Sequence, residues 1–166
     1  MNLYVLDTNF FIQAHRAHYP LDIATGFWDL VKNLATDEKI ISIDKVFDEI
    51  SRNEDVLKEW VESELPDAFF KDSELQEVIN IYAQIAEWAE SRSNHFNRPA
   101  ISEFLEDTNA DAWLVAFCKA NNYSLVTQEM SDPASKKRIK IPDVCNQFDV
   151  PTCDMMKMFR ELNVQF

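Results

Sequence analysis

The chain has 166 residues, 46% of them hydrophobic and 12% aromatic, with 16 basic and 29 acidic side chains for a formal charge of −13. That length and apolar content support one core and argue against disorder. The lone glycine, Gly26, excludes the Walker and dinucleotide-binding fingerprints, which need several.

In chain order, "LYVL" (Leu3 to Leu6) is a short β-forming apolar run that stops at Asp7, and Thr8 or Asn9 is positioned to cap a helix over "FFIQAHRAHY". After Pro20, Ile23, Phe27, Leu30, Val31 and Leu34 recur at helical spacing, which predicts a second helix. "KIISI" (Lys39 to Ile43) is a β-branched run ending at Asp44, a candidate N-cap for "KVFDEISRN". From Asn53 to about Glu90 the pattern predicts a helical insert of two helices, one presenting Val56, Trp60, Val61 and Leu65 and the other Leu75, Val78, Ile79, Tyr82, Ile85 and Ala86. "SRSNHFNRPA" (residues 91 to 100) reads as a loop. Thr108 or Asn109 then caps a helix with Trp113, Ala116, Phe117 and Ala120 on its apolar face and Asp111 in its first turn. "YSLVTQE" predicts a third strand and "RIKIP" a fourth, and Asp143 and Asp154 introduce two last helical stretches. Strands alternating with helices predict an α/β sandwich around a mostly parallel sheet of four to five strands, since parallel strands need crossover connections. No repeat, low-complexity tract or linker interrupts the pattern, so one domain over 1–166 is expected.

Cys118, Cys145 and Cys153 form no C-x-x-C pair, and an odd count suits a reduced interior better than a disulfide framework. With no signal-like N-terminus and no apolar run near the ~20 residues that span a bilayer, a cytoplasmic protein is expected. The charge is uneven along the chain. Residues up to Glu129 are net −14 and residues 130–166 net +1, most of the local basicity being "KKRIK", Lys136 to Lys140. Such a run is a solvated loop or a phosphate-contacting patch.

The acids stand in related places. In open α/β sheets, sites form outside the carboxyl ends of the strands. Asp7 and Glu129 follow strand ends, Glu49 lies in the helix after the second strand, and Asp111 opens the helix before the third. Each also has an ordinary reading: Asp7 as a helix cap, Asp111 as a helix-start acid favoured by the dipole, Glu129 as a surface acid. Asp44, Asp143 and Asp154 are read as caps.

"VLDTNFFI", "IDKVFDEIS", "TNADAWLVAFC" and "LVTQE" resemble, in order and spacing, the acidic motifs of the PIN-domain ribonucleases, which include the VapC-type toxins of toxin–antitoxin pairs. The tail "SKKRIKIPDVCNQF" is similar to a subgroup of small PIN-like proteins. The resemblance covers nearly the whole chain and implies a PIN-like three-layer fold. It makes Asp7, Glu49 and Asp111 the metal-binding acids, with Glu129 where many members have Asp, and Thr8, Asn9 and Thr127 in support, Thr8 or Asn9 orienting Asp7. Asp48 adjoins Glu49 as a rival ligand, but successive helix residues point about 100° apart and do not share a site. The implied cofactor is Mg²⁺ or Mn²⁺, hard cations suited to carboxylate oxygens. The implied reaction is hydrolysis of RNA phosphodiester bonds to a 5′-phosphate and a 3′-hydroxyl, and the implied partners are an antitoxin protein and a second copy in a homodimer. Because the protein is acidic, RNA binding would lean on metal and on Arg16, Arg98, Lys136, Lys137, Arg138 and Lys140.

Two other classes compete. A non-catalytic PIN-like protein-binding module would keep the scaffold without the chemistry. A phosphatase of the HAD type also begins with a strand-end Asp but expects a second Asp two residues on, where this chain has Asn9. His15, His18 and His95 show no ligand spacing. Trp28, Trp60, Trp88 and Trp113 read as core or interface anchors, and "FFIQAHRAHY" as a possible partner-binding helix.

Overall fold

A computed structural model describes residues 3–166. In chain order it has β1 (Tyr4–Leu6), α1 (Thr8–Gln13) running into a π-helical turn (Ala14–His18), α2 (Thr25–Thr36), β2 (Ile40–Ile43), α3 (Asp44–Ser51), α4 (Val56–Glu64), β3 (Phe70–Lys71), α5 (Gln76–Ser91), α6 (Arg98–Phe104), α7 (Asp111–Asn121), β4 (Ser124–Val126), α8 (Ile141–Gln147), β5 (Thr152–Cys153) and α9 (Met155–Glu161).

The five strands form one parallel sheet in the order β3-β2-β1-β4-β5. Every residue of β1 and β2 is buried, as a parallel sheet covered by helices on both faces requires. Ser42, the one polar residue in β2, donates to the Leu6 carbonyl at 2.6 Å, so its burial leaves no hydroxyl unsatisfied. Phe10, Phe27 and Trp28 pack as an aromatic cluster beside the sheet, Phe27 meeting Trp28 edge-on at 5.1 Å. Burying each such side chain contributes roughly 1.5–3 kcal/mol. The chain leaves β1 toward β2 on one side and later returns to add β4 on the other, so the crevice between the carboxyl ends of β1 and β4 is the topological switch point, where open α/β sheets build their sites.

The expected α/β architecture with a largely parallel sheet is observed, with differences at the sheet edges. "RIKIP" is not a strand: its Ile139 and Ile141 are buried, but the Ile141 N–H donates to the Glu129 carboxylate, and Pro142 sits in the first turn of α8. The outer strands are β3 and β5, each two residues long and too short to leave a period-2 signature. β3 lies inside the stretch read as a purely helical insert and pairs with β2. The loop read over 91–100 ends earlier, because Asn97 caps α6 by accepting from the Ala100 N–H and Pro99 fits the first turn.

The caps are also partly redistributed. Asp154 caps α9 as expected. Asp44 and Asp143 instead lie inside the first turns of α3 and α8, and their carboxylates bind across the chain, Asp44 to the Ser73 hydroxyl at 2.6 Å and Asp143 to the Ser131 hydroxyl and the Asp132 N–H. Ala110 holds the N-cap position of α7, although Asn109 still accepts from the Asp111 N–H at 2.9 Å. Among the described residues no helix is long and apolar enough to cross a membrane, and the three cysteines are free.

Candidate active site

Asp7 ends β1 in an extended conformation and is itself the N-cap of α1, its Oδ1 accepting from the Phe10 N–H at 2.9 Å. Neither Thr8 nor Asn9 takes that role. The cap uses one oxygen only. Asp7 is 2% exposed, and its Oδ2 is buried with no hydrogen-bond partner. A carboxylate normally satisfies both oxygens when buried, so this cap carries an unexplained cost. Burial pushes the Asp7 carboxyl from its ordinary 3.8 up to about 7; the Phe10 N–H and the nearby Thr127 hydroxyl oppose the rise, and the charges of Glu129 and Glu49 add to it.

The other three acids line the same cleft of about 490 Å³, with Thr8 and Asn9. Glu49, on α3, accepts from the Thr8 hydroxyl at 2.8 Å, so Thr8 orients Glu49 rather than Asp7. Burial raises the Glu49 pKa, with Thr8 and Arg52 acting against it. Asp111 opens α7 and keeps part of its surface open to the cleft. The atoms packed around it nevertheless strip its hydration, and with the charges of Glu129, Glu49 and Asp7 they push its pKa up to about 8. Glu129, just past β4, has its backbone N–H held by Thr127 Oγ1 at 3.1 Å, and the same side chain acts on Asp7, so Thr127 touches two of the acids without lining the cleft.

Of the six basic residues considered for RNA contact, Arg138 alone lines this cleft. Arg98 is paired bidentately with Glu90 at 2.8 Å, and Arg16, Lys136, Lys137 and Lys140 are not part of the cleft wall. The second cation of the wall is Arg52, which the sequence reading did not single out. Its spacing was the available signal, since a residue three positions after Glu49 shares its helix face. Glu103 and Glu106 add exposed acids to the rim. Asp48 faces a different hollow, with Lys45, Glu74 and Trp113, as the 100° helical step requires.

As the side chains lie, no three His, Cys, Asp or Glu among the described residues stand close enough to hold an ion. The donor chemistry nevertheless fits a hard divalent cation: four carboxylates share one cleft, burial and mutual repulsion raise the pKa values of Asp7 and Asp111, and Asp7 Oδ2 lacks a partner.

A family model described as "Domain of unknown function (DUF4411)" matches residues 4–166. No curated protein matches the chain. Among solved structures it is similar to VapBC2 from Rickettsia felis bound to a DNA fragment from their promoter, at 17% identity and TM-score 0.51 over 92% of this chain and 98% of that one. It is also similar to FitAB bound to an IR36 DNA fragment, at 19% identity and TM-score 0.55 over 92% and 94%. A third similarity is to FitAcB from Neisseria gonorrhoeae, at 17% identity and TM-score 0.54 over 90% and 96%. The fold is therefore the PIN-like α/β fold of these structures.

Proposed function

The chain belongs to the family described as a domain of unknown function, DUF4411, and from that premise we propose that it is a metal-dependent endoribonuclease acting as the toxin of a toxin–antitoxin pair. The observation that carries this reading is the convergence of Asp7, Glu49, Asp111 and Glu129 on one cleft at the switch point, with Asp7 Oδ2 unsatisfied. Asp7, Glu49 and Asp111 would hold Mg²⁺ or Mn²⁺, with Glu129 completing the set. Such an ion, when bound, lowers the pKa of an attacking water and stabilises charge on the phosphate oxygens.

The chain's own residues supply the rest. Arg52 and Arg138 stand on the cleft wall as the cations available to a phosphate, an arrangement suited to positioning a backbone without reading its bases. Thr8 fixes the Glu49 carboxylate, and the Phe10 N–H fixes that of Asp7 through Oδ1, leaving Oδ2 as the atom free to take a proton or a ligand. A partner chain is supported by the neighbours VapBC2 and FitAB, whose structures are DNA-bound assemblies; a homodimer and a cytoplasmic location remain part of the proposal.

One observation favours a second reading, a non-catalytic binding module: the four acids are not drawn into a preformed chelate. Cleavage of labelled single-stranded and structured RNAs with Mn²⁺, Mg²⁺ or EDTA, comparing the wild-type chain with Asp7→Asn, separates the two. Metal-dependent cutting lost in the variant is the expected result. No cutting under any condition, with equal metal affinity in both chains, gives the binding module.

A further inference from the structure

The loop between β4 and α8 is anchored at several points that together deliver one guanidinium to the acids. The Asn97 N–H donates to the Lys136 carbonyl at 2.9 Å, His95 Nε2 lies 3.0 Å from the Ser135 carbonyl, and Ile139 and Ile141 are buried on either side of Lys140. Between these anchors Arg138 Nη2 reaches Glu129 Oε1 at 3.2 Å, while Glu129 Oε2 accepts from the Ile141 N–H at 2.8 Å. The pair is unequal: the Glu129 side chain is 9% exposed and that of Arg138 51%. Glu129 is thus a nearly buried anion beside two other carboxylates, and its cation is anchored at the stem and loose at the head.

We propose that Arg138 is the resident counter-cation of this cleft, exchanging with the divalent ion at Glu129 and, once displaced, turning its guanidinium to the substrate phosphate. The proposal rests on the metal-dependent reading above. The guanidinium is half exposed and returns to water when released, and an incoming divalent cation takes its place at Glu129, so the nearly buried carboxylate keeps a counter-charge throughout the exchange. Glu129 keeps its place meanwhile, because the Ile141 N–H stays on Oε2. Arg138 also eases the charge on Asp111, so the one side chain serves two of the four acids while no ion is bound. Toward the metal it is a positioning residue, acting through Glu129; toward the substrate it is a phosphate contact.

The test is a double-mutant cycle read by calorimetric titration of the metal-free protein with Mn²⁺, using Arg138→Met, Glu129→Gln and the pair. Glutamine keeps an acceptor for the Ile141 N–H, and thermal melts confirm that each variant folds. Arg138→Met is expected to tighten Mn²⁺ binding several-fold in the wild-type background and to change it less than twofold in the Glu129→Gln background. An equal gain in both backgrounds makes Arg138 a distant charge and overturns the proposal, as does no gain in either. Because no RNA is present, the outcome is independent of cleavage. Absence of Mn²⁺ binding in every variant overturns the metal reading along with the inference, whereas binding with a flat cycle overturns the inference alone. A second arm uses RNA binding with and without Mn²⁺: the ion should raise RNA affinity more in the wild type than in Arg138→Met, and equal increments overturn the delivery of Arg138 to phosphate.

Discussion

Two hollows meet at Arg52 and Thr108, and both contain acidic residues, but they are physically different places. In the hollow of about 390 Å³ lined by Lys45, Asp48, Glu74, Asp107 and Trp113, the carboxylates are exposed and Lys45 reaches Glu74 at 2.8 Å and Asp44 at 3.6 Å. In the cleft at the strand ends, Asp7 is buried with an orphan oxygen and both Asp7 and Asp111 are driven toward neutral pKa values. Counting acids does not separate the two. Water and a lysine satisfy one set, whereas the other has been desolvated and, among the described residues, meets a cation directly at Glu129, which pairs with Arg138, the condition under which a divalent ion gains most.

The sharpest way to break the comparison is a matched pair of charge removals. Asp7→Asn keeps the cap on Phe10, since asparagine accepts as well as aspartate there, and should lower metal-dependent RNA cleavage by about 100-fold or more, the scale on which single electrostatic contributors act. Asp48→Asn should leave cleavage within about twofold. Similar losses in both would mean that the two hollows are not chemically distinct.

Stability against pH sharpens it next. Folded metal-free protein holds protons on Asp7 and Asp111 up to about 7 and about 8, whereas the unfolded chain releases them near 3.8. Between those values the native state binds more protons, so this pair erodes stability as pH rises, and the penalty is complete above about pH 8. Asp7→Asn should therefore stabilise the metal-free chain by on the order of 2–4 kcal/mol at pH 8.5 and by almost nothing at pH 4, read by urea unfolding. Asp48→Asn should stay within about 0.5 kcal/mol at either pH.

Metal should reverse the same penalty. At 100 times its dissociation constant, Mn²⁺ should stabilise the wild-type chain at pH 8 by about 2.7 kcal/mol, seen as a rise in Tm that EDTA abolishes and Asp7→Asn lacks. The smallest expected effect is at the shared wall: Arg52→Ala should weaken RNA binding by roughly 3- to 10-fold with a shallower salt dependence, because it removes one cation from the acidic cleft while leaving the carboxylates in place.

Much of this was legible in the chain itself. The runs at Tyr4–Leu6 and Ile40–Ile43 are apolar because both faces of a parallel sheet are covered, so they announced buried strands. Asp7, Glu49, Asp111 and Glu129 were legible because each follows such a strand or sits in a helix beside one. The edge strands β3 and β5 were not, since two residues carry no periodicity, and "RIKIP" misled because buried isoleucines look alike in a strand and in an extended segment tied to a carboxylate. Beyond its spacing from Glu49, Arg52 carries no signal in the sequence, because an exposed arginine at a helix end is ordinary until the fold sets a cleft beside it.

The sequence by itself determined the fold class and offered four acids in related places, which the family resemblance grouped into one set, because hydrophobic period and strand-end position are local properties that packing only reinforces. Tertiary structure alone decided that Asp7 caps a helix with one oxygen and leaves the other unsatisfied, that Thr8 serves Glu49, and that Arg138 rather than the rest of the basic run meets the acids. The physical reason is that desolvation and partner choice depend on which distant segments fill the space around a charge, and no neighbour in sequence carries that information.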